Sequence, residues 1–183
     1  MSQTDVLRCP KCRTTPLRAP GRSGTPVLRC YACHGMWVTT EQAEALALAG
    51  TLLDPDSMLP QKVRGDDVAG LCPSGHGLLQ RAKVDLDEPF YLERCGRCAG
   101  IWFDAGEWSK LASSHLVHHL RDLWDPTWQR RMREERAEER HKERVKAEIG
   151  PELFAQIDAL VGAIGESRKR NEAVAYLMTR LRD

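Results

Sequence analysis

The spacing of apolar residues divides the chain into two parts. As far as about residue 124 the apolar residues form short runs, and two of these runs, 26–28 and 89–92, suit short strands. Beyond residue 125 the chain reads as helical, and after Pro151 apolar residues recur at every third or fourth position, which is the period of a helix. The pattern therefore predicts a small α+β region followed by an all-α C-terminal region.

The C-terminal region is predicted to hold one long charged helix and a helical hairpin. Asp125-Pro126 marks a helix start, and the helix runs to about Ile149, roughly 36 Å at ~1.5 Å per residue. Its central residues are charged, so it cannot be buried along its whole length. Gly150-Pro151 and Gly165 then delimit two helices with one apolar stripe each. The stripes comprise Leu153, Phe154, Ile157, Leu160, Val161 and Ile164, and then Val174, Leu177, Met178 and Leu181.

Two shorter helices are predicted in the α+β region from their capping residues. Thr39 and Asp104 are suitable N-caps, because their side-chain oxygens can accept hydrogen bonds from free amides of the first turn. Gln42 and Glu107 follow three residues later, as a capping box requires. We expect the first helix to end near residue 49 and the second to continue to about residue 124.

A duplication covers most of the α+β region. Residues 30–46 and 95–111 align without a gap, and the Cys9-Pro10 dipeptide upstream has its counterpart in Cys72-Pro73. The aligned residues include a CxxC pair, a glycine and a tryptophan in one register, which chance does not readily produce. The matched residues are Cys30 with Cys95, Cys33 with Cys98, Gly35 with Gly100, Trp37 with Trp102, and Leu46 with Leu111. We expect each tryptophan to close the small hydrophobic cluster of its own unit.

The first unit contains two CxxC pairs with the spacing of a structural zinc site. Cys9 and Cys12 form the first pair, a 17-residue gap follows, and Cys30 and Cys33 form the second. Two intervening residues let the chain turn tightly enough for both sulfurs to reach one ion at ~2.3 Å. These four thiolates are the predicted ligands of one zinc ion.

The second unit has a histidine in place of one of the four cysteines. Cys95 and Cys98 repeat the second pair, but the first knuckle reads Cys72-Pro-Ser-Gly-His76. An imidazole reaches further than a thiol, so the extra residue is tolerable, and three cysteines with one histidine are a known structural zinc ligand set. The alternative is an ordinary loop histidine above a degenerate site. The two sites use all seven cysteines, and we expect them to hold two ions independently.

Composition places the protein in a reducing compartment. Seven cysteines do not suit a closed disulfide framework, and residues 1–20 show no apolar run typical of a signal peptide. No stretch approaches the ~20 apolar residues that span a bilayer. We therefore expect a cytoplasmic protein without a membrane association, in which clustered cysteines bind metal.

Both units resemble the bacterial transcription-factor-IIB-type zinc-ribbon domain, whose pattern is CPxC followed by CxxCxGxWxDxGE. The resemblance covers residues 9–46 and 72–111 and implies a ribbon fold of short β-hairpins with one short helix. The second unit departs at its first knuckle, and the first has Thr39 and Glu41 where the family has Asp and Gly. The matching residues of the second unit are Cys95, Cys98, Gly100, Trp102, Asp104, Gly106 and Glu107. The helical tail matches no family that we can name.

The predicted organisation has four segments. These are a four-cysteine ribbon over residues 1–50, a linker over 51–71, a ribbon with three cysteines and one histidine and its following helix over 72–124, and a helical tail over 125–183. The linker is rich in Gly, Pro and Asp.

Three classes of function are compatible with this organisation. In the first, the chain is a non-enzymatic adaptor or scaffold whose ribbons and tail bind a protein partner, with self-association through the tail as one form of it. In the second, a transcription-related role, the basic first ribbon binds nucleic acid. Its candidate phosphate contacts are Arg8, Lys11, Arg13, Arg18, Arg22 and Arg29. However, a zinc site of four thiolates carries a net charge of about −2, which nearby cations would also stabilise.

An enzyme is the least favoured class. Zinc held by four protein ligands has no open position for water or substrate, and no nucleophile–base pair or phosphate-binding loop is evident. We therefore predict no catalytic residue. His115, His118 and His119 form a small cluster, which we interpret as a solvated helix end rather than as a metal site.

Overall fold

A computed structural model describes residues 6–20, 27–51 and 67–182 of the protein. Contacts divide the chain into two compact units, Met1–Gln129 and Arg130–Asp183. The first unit holds both ribbons and the second holds most of the tail. Most of the predicted linker, residues 52–66, lies outside the described residues.

The first unit is built on one five-stranded antiparallel sheet. The first ribbon supplies β1 (Leu28–Arg29) and β2 (Met36–Thr39). The second ribbon supplies β3 (Gln80–Val84), β4 (Phe90–Arg94) and β5 (Gly100–Phe103). The order across the sheet is β1-β2-β5-β4-β3, so the two ribbons meet in the middle.

The pairing of β2 with β5 joins the two ribbons. It is antiparallel, and it places Trp37 directly opposite Trp102. Sequence analysis drew a boundary after residue 50 and another at residue 72, but strands from the two sides of that linker are hydrogen-bonded partners. A two- or three-stranded ribbon is marginal by itself and leaves an edge of unsatisfied backbone groups, which this pairing removes.

Each central tryptophan packs across the β2–β5 pair on the other ribbon, in a cluster that also includes residues of its own ribbon. A Cβ atom added to Gly35 would lie 2.1 Å from the Cζ2 atom of Trp102. A Cβ atom added to Gly100 would lie 2.1 Å from the same atom of Trp37. The tryptophans therefore lie in one cluster shared by both ribbons, whereas sequence analysis expected a separate cluster for each unit. Antiparallel pairing brings diagonal neighbours together, so each ring lies over the glycine across the joint.

Alternate residues of the central strands face two hydrophobic clusters. One face carries Met36, Val38, Ile101 and Phe103, which pack with the helices in the main core. The opposite face carries the two tryptophans, which cluster with the metal-binding cysteines of both ribbons. Neither cluster belongs to one ribbon alone.

The first short helix follows its capping prediction. Helix α1 (Thr40–Leu48) is preceded by Thr39, whose side chain accepts a hydrogen bond from the backbone N–H of Gln42 at 3.3 Å. The Gln42 side chain in turn accepts from the backbone N–H of Thr39 at 3.2 Å. The predicted capping box is confirmed.

The second short helix begins later and ends earlier than predicted. Helix α2 (Glu107–Ser113) has Gly106 at its N-cap, with φ of 88°, instead of Asp104. The carboxylate of Asp104 accepts a hydrogen bond from the indole N–H of Trp102 at 2.7 Å. Past Ser113 the chain adopts a left-handed conformation at His115, with φ of 58°, which an α-helix does not accommodate. Two short 3-10 helices, Leu116–His119 and Asp122–Trp124, replace the predicted continuation.

Three helices follow the ribbons. Helix α3 spans Pro126–Ile149, and the Asp125 carboxylate accepts from the backbone N–H of Thr127 at 2.7 Å, as expected of a cap. Helices α4 (Pro151–Gly165) and α5 (Arg170–Arg180) contact each other as the predicted hairpin. Among the described residues, no helix is both long and apolar enough to cross a membrane. Two small α+β ribbons followed by an all-α region confirm the predicted fold class.

Substitution of Gly35 or Gly100 tests the packing of the two tryptophans across the β2–β5 pair. We expect Gly35→Ala to lower the free energy of unfolding by about 1–3 kcal/mol, because the methyl group must displace the buried Trp102 ring. Thermal unfolding followed by tryptophan fluorescence reports on the right unit, since all five tryptophans lie before residue 130. Gly96→Ala is the matched control in the same unit, because a Cβ added there meets only the end of the exposed Gln80 side chain, at 3.0 Å. An unchanged melting temperature for Gly35→Ala would contradict the proposed packing.

Candidate metal centres

The four cysteines of the first ribbon form one cluster. Two belong to the N-terminal knuckle and two to the turn that joins β1 to β2, and all four sulfurs lie within 4.8 Å of one another. The Sγ atoms of Cys9 and Cys33 are 3.6 Å apart, and those of Cys12 and Cys30 are 3.9 Å apart. Four sulfurs at ~2.3 Å around a tetrahedral zinc ion are about 3.8 Å apart, so the cluster fits zinc.

The second ribbon gathers three cysteines and His76 in the same way. The Sγ atoms of Cys72 and Cys98 are 3.7 Å apart. The Nδ1 atom of His76 lies 3.5 Å from the Cys72 sulfur and 3.6 Å from the Cys95 sulfur. Tetrahedral zinc predicts a nitrogen–sulfur separation of about 3.6 Å, so Nδ1 is the donor atom that fits. The alternative of a loop histidine outside the site does not agree with these distances.

Backbone amides of the knuckles point at the sulfurs. The N–H of Cys12 donates to the sulfur of Cys9 at 3.3 Å, and the N–H groups of Arg97 and Cys98 donate to Cys95 at 3.4 and 3.5 Å. Burial raises the pKa of Cys95, but these amides and the neighbouring side chains outweigh it and lower the pKa to about 6. The Cys95 site is thus prepared for a thiolate, which is the form that binds metal.

The thiols of Cys12 and Cys98 need a nearby cation to ionise at neutral pH. Burial, reinforced by neighbouring cysteines, raises the pKa of Cys12 to about 11 and that of Cys98 to about 11. Crowded thiolates repel one another, and a bound dication removes that repulsion. The donor sets and their spacing therefore fit two structural zinc ions, each held by four protein ligands.

A buried charged cluster between the ribbons was missed by sequence analysis. The Lys11 ammonium lies 2.9 Å from a Glu93 carboxylate oxygen and 3.7 Å from one of Asp104. The Lys11, Glu93 and Asp104 side chains are 7%, 1% and 3% exposed. Of these three residues, only Glu93 had a sequence feature that could have indicated burial, because its charge lies inside a strand beside buried Leu92.

The predicted phosphate contacts are not one exposed set. The Lys11 side chain is buried, and one guanidinium nitrogen of Arg29 is also buried. Arg8 donates to the carbonyl oxygen of Thr14 at 2.8 Å. Arg13 and Arg18 are exposed, whereas Arg22 lies outside the described residues.

The three histidines after α2 form no metal site in the described part of the chain. Of these, His119 lies 3.0 Å from a carboxylate oxygen of Asp122, and its ring lies beside that of Trp128. Among the described residues, the groups of donor atoms that could hold a metal ion are the two ribbon clusters.

Removal of His76 tests its role as the fourth ligand. We expect native mass spectrometry to find two zinc ions in the wild-type protein, and His76→Ala to release zinc from the second site at least about tenfold faster into excess chelator, since three ligands hold zinc less tightly than four. The first site should keep its ion for longer than the second. His118→Ala removes an exposed histidine outside the clusters and is the control. Equal release from the two variants would exclude His76 as a ligand.

Comparison with known proteins agrees with this geometry. A model of the transcription factor zinc-finger family, which describes a transcription-factor-IIB-type zinc ribbon, matches residues 8–49 and again residues 71–114. Neither a search of curated proteins nor a search of solved structures finds a match. The two matched segments contain all eight metal ligands and end before the helical tail. The chain therefore contains two tandem segments that match the transcription factor zinc-finger model, and each segment contains one of the two metal-binding clusters.

Proposed function

We propose that the protein is a non-enzymatic adaptor or scaffold of the cytoplasm, in which the paired ribbons form a platform and the tail binds protein. The closed ligand sets support the absence of catalysis, because a catalytic zinc needs an open coordination position. The fully reduced cysteines expected of such sites agree with a reducing compartment.

The exposed apolar surface of the tail carries the proposal. None of the described residues beyond Gln129 is buried. Along α4, Leu153, Ile157, Leu160 and Val161 are 49%, 43%, 46% and 61% exposed, and they lie on one face at helical spacing. In α5 the apolar residues Val174 and Met178 are also exposed, as is Leu181 at its C-cap. A contiguous apolar surface of this kind marks a protein-interaction site.

Helix α3 suits the role of a charged spacer. Its ion pairs lie along its own surface, as in Arg131 with Glu135 and Lys142 with Glu138, each four residues apart. These pairs support a helix that is solvated over most of its length.

Among protein partners, a second copy of the chain is the first to test. The α4 stripe is long enough for two helical hairpins to bury their apolar faces against each other, as in a helical bundle. A hairpin without buried residues gains little hydrophobic free energy alone, so association would also stabilise it.

Nucleic-acid binding through the first ribbon is the weaker alternative. Its basic residues are divided between exposed positions and internal contacts, and Lys11 is committed to buried carboxylates. The overall charge of +1 gives no general attraction to a polyanion. A salt-dependent gel shift on mixed DNA and RNA distinguishes the two functions, because binding that weakens with salt would favour the alternative.

Charged substitutions in the stripe test the docking surface. We expect the wild-type protein to show a mass above that of the monomer in concentration-dependent light scattering, and Ile157→Glu with Leu160→Glu to shift it to the monomer, because two buried carboxylates would oppose packing. Ala155→Glu adds a charge on the opposite face of the same helix and is the control.

Two results would contradict the proposal at different levels. A wild-type monomer at every concentration would exclude self-association while leaving a different protein partner open to pull-down with residues 130–183, which contain none of the buried core residues of the first unit. Equal capture of the same proteins by the wild-type tail and the doubly substituted tail would exclude the apolar stripe as the docking surface.

A further inference from the structure

The side chain of Lys11 starts in the first metal site and ends in the second ribbon. Lys11 stands between the ligands Cys9 and Cys12 in the first knuckle. Its ammonium donates to the carboxylate of Glu93 at 2.9 Å and to the carbonyl oxygen of Val68 at 2.6 Å. Both partners belong to the chain on the far side of the linker.

The partners of Lys11 lead directly into the second metal site. Glu93 precedes the ligand Cys95 by two residues at the end of β4. The segment from Val68 to Gly70 precedes the ligand Cys72, and the backbone N–H of Gly70 donates to Glu93 at 3.4 Å. One ammonium group therefore contacts both stretches of chain that enter the second site.

Packing around Gly70 adds a second contact between the knuckle and this segment. A Cβ atom added to Gly70 would lie 3.0 Å from the Cβ atom of Pro10 and 2.6 Å from a carboxylate oxygen of Glu93. The backbone of Gly70 thus lies between the first knuckle and the buried carboxylate, where a side chain would not fit. A displaced knuckle would open this space and leave Glu93 without its ammonium partner.

The link has no counterpart in the other direction. In the aligned repeats, the positions of Lys11, Glu93 and Asp104 correspond to Ser74, Leu28 and Thr39, none of which is charged. The buried ion pair therefore runs from the first knuckle into the second ribbon alone. This asymmetry separates the effect of Lys11 from that of the shared sheet, which is nearly symmetric.

We propose that Lys11 is a positioning residue that makes zinc retention at the second site depend on zinc at the first. A zinc ion held by Cys9 and Cys12 fixes the turn from which Lys11 projects. Without it the ammonium is no longer held against Glu93. The buried carboxylate then keeps only the Arg81 guanidinium, 3.4 Å away, as a charged partner, and the loss of its closer, hydrogen-bonded partner is unfavourable. The segments carrying Cys72 and Cys95 then loosen. The expectation of independent sites treats the ribbons as separate bodies, and their common core removes that basis.

A double-mutant cycle on the full chain tests the proposal. Cys12→Ser empties the first site, Lys11→Met removes the ammonium, and the zinc bound at the second site is followed with a chromogenic chelator and native mass spectrometry. We expect each single variant to speed release from the second site at least about tenfold, and the double variant to be no faster than the faster single variant, because both break the same link.

Controls separate this link from a general loss of stability. Lys110→Met breaks a salt bridge of 2.7 Å with Glu88 inside the second ribbon and should change release less than about twofold. Cadmium-113 resonance identifies the emptied site, because a site of four sulfurs and a site of three sulfurs and one nitrogen give different signals. If Lys11→Met fails to fold, Glu93→Gln keeps the side-chain shape, removes the same attraction, and takes its place in the cycle.

Three outcomes would overturn the proposal. Unchanged release from the second site in Cys12→Ser would mean that the sites are independent. Additive effects in the double variant would assign the coupling to the shared sheet instead of Lys11. A Lys11→Met protein that loses zinc faster from the first site alone would restrict Lys11 to a local role.

Discussion

Coordination of two ions by clustered thiolates is the constraint on which the first unit depends. Each ribbon has a few short strands and one helix, which is too little to bury a core of ordinary size. The ligands are therefore part of the interior, since Cys9, Cys30, Cys72 and Cys95 are all buried and pack with the tryptophans. Sulfurs held so close together require a cation to ionise, so the metal and the packing stabilise the same arrangement.

The joint between the ribbons turns two marginal modules into one unit. Three different interactions connect the ribbons. They are the backbone hydrogen bonds between β2 and β5, the packing of each tryptophan on the glycine of the other ribbon, and the buried ion pair of Lys11. The duplicated glycine and tryptophan suit this contact between the ribbons. Because the equivalent strands pair antiparallel, the tryptophan of each ribbon lies against the glycine of the other. The charged cluster breaks the symmetry and gives the two ribbons different roles.

The tail has the opposite character. The ribbons bury two apolar clusters and four of their eight metal ligands, whereas α4 and α5 expose apolar residues. Each metal site has four protein ligands that tie the knuckles of its ribbon together, and the apolar stripe of α4 offers an exposed surface for contact. The combination is consistent with the proposed adaptor, in which the metal shapes the platform and the helices recognise protein.

The sequence by itself determined the parts whose cause is local. The CxxC spacings identified both donor sets, including His76, because a knuckle is formed by residues a few positions apart. Capping residues and apolar periodicity likewise located α1 and the three tail helices. Tertiary structure decided what depends on partners distant in the chain. It paired β2 with β5 and placed each tryptophan over the glycine of the other ribbon. It also placed Lys11, a candidate phosphate contact, in a buried ion pair with Glu93, which no residue near Lys11 in the sequence indicates. It also moved the start of α2 to Glu107, because Asp104 bonds to Trp102 instead of capping the helix. It ended α2 early, because the chain turns at His115, where helix propensity alone does not decide the path.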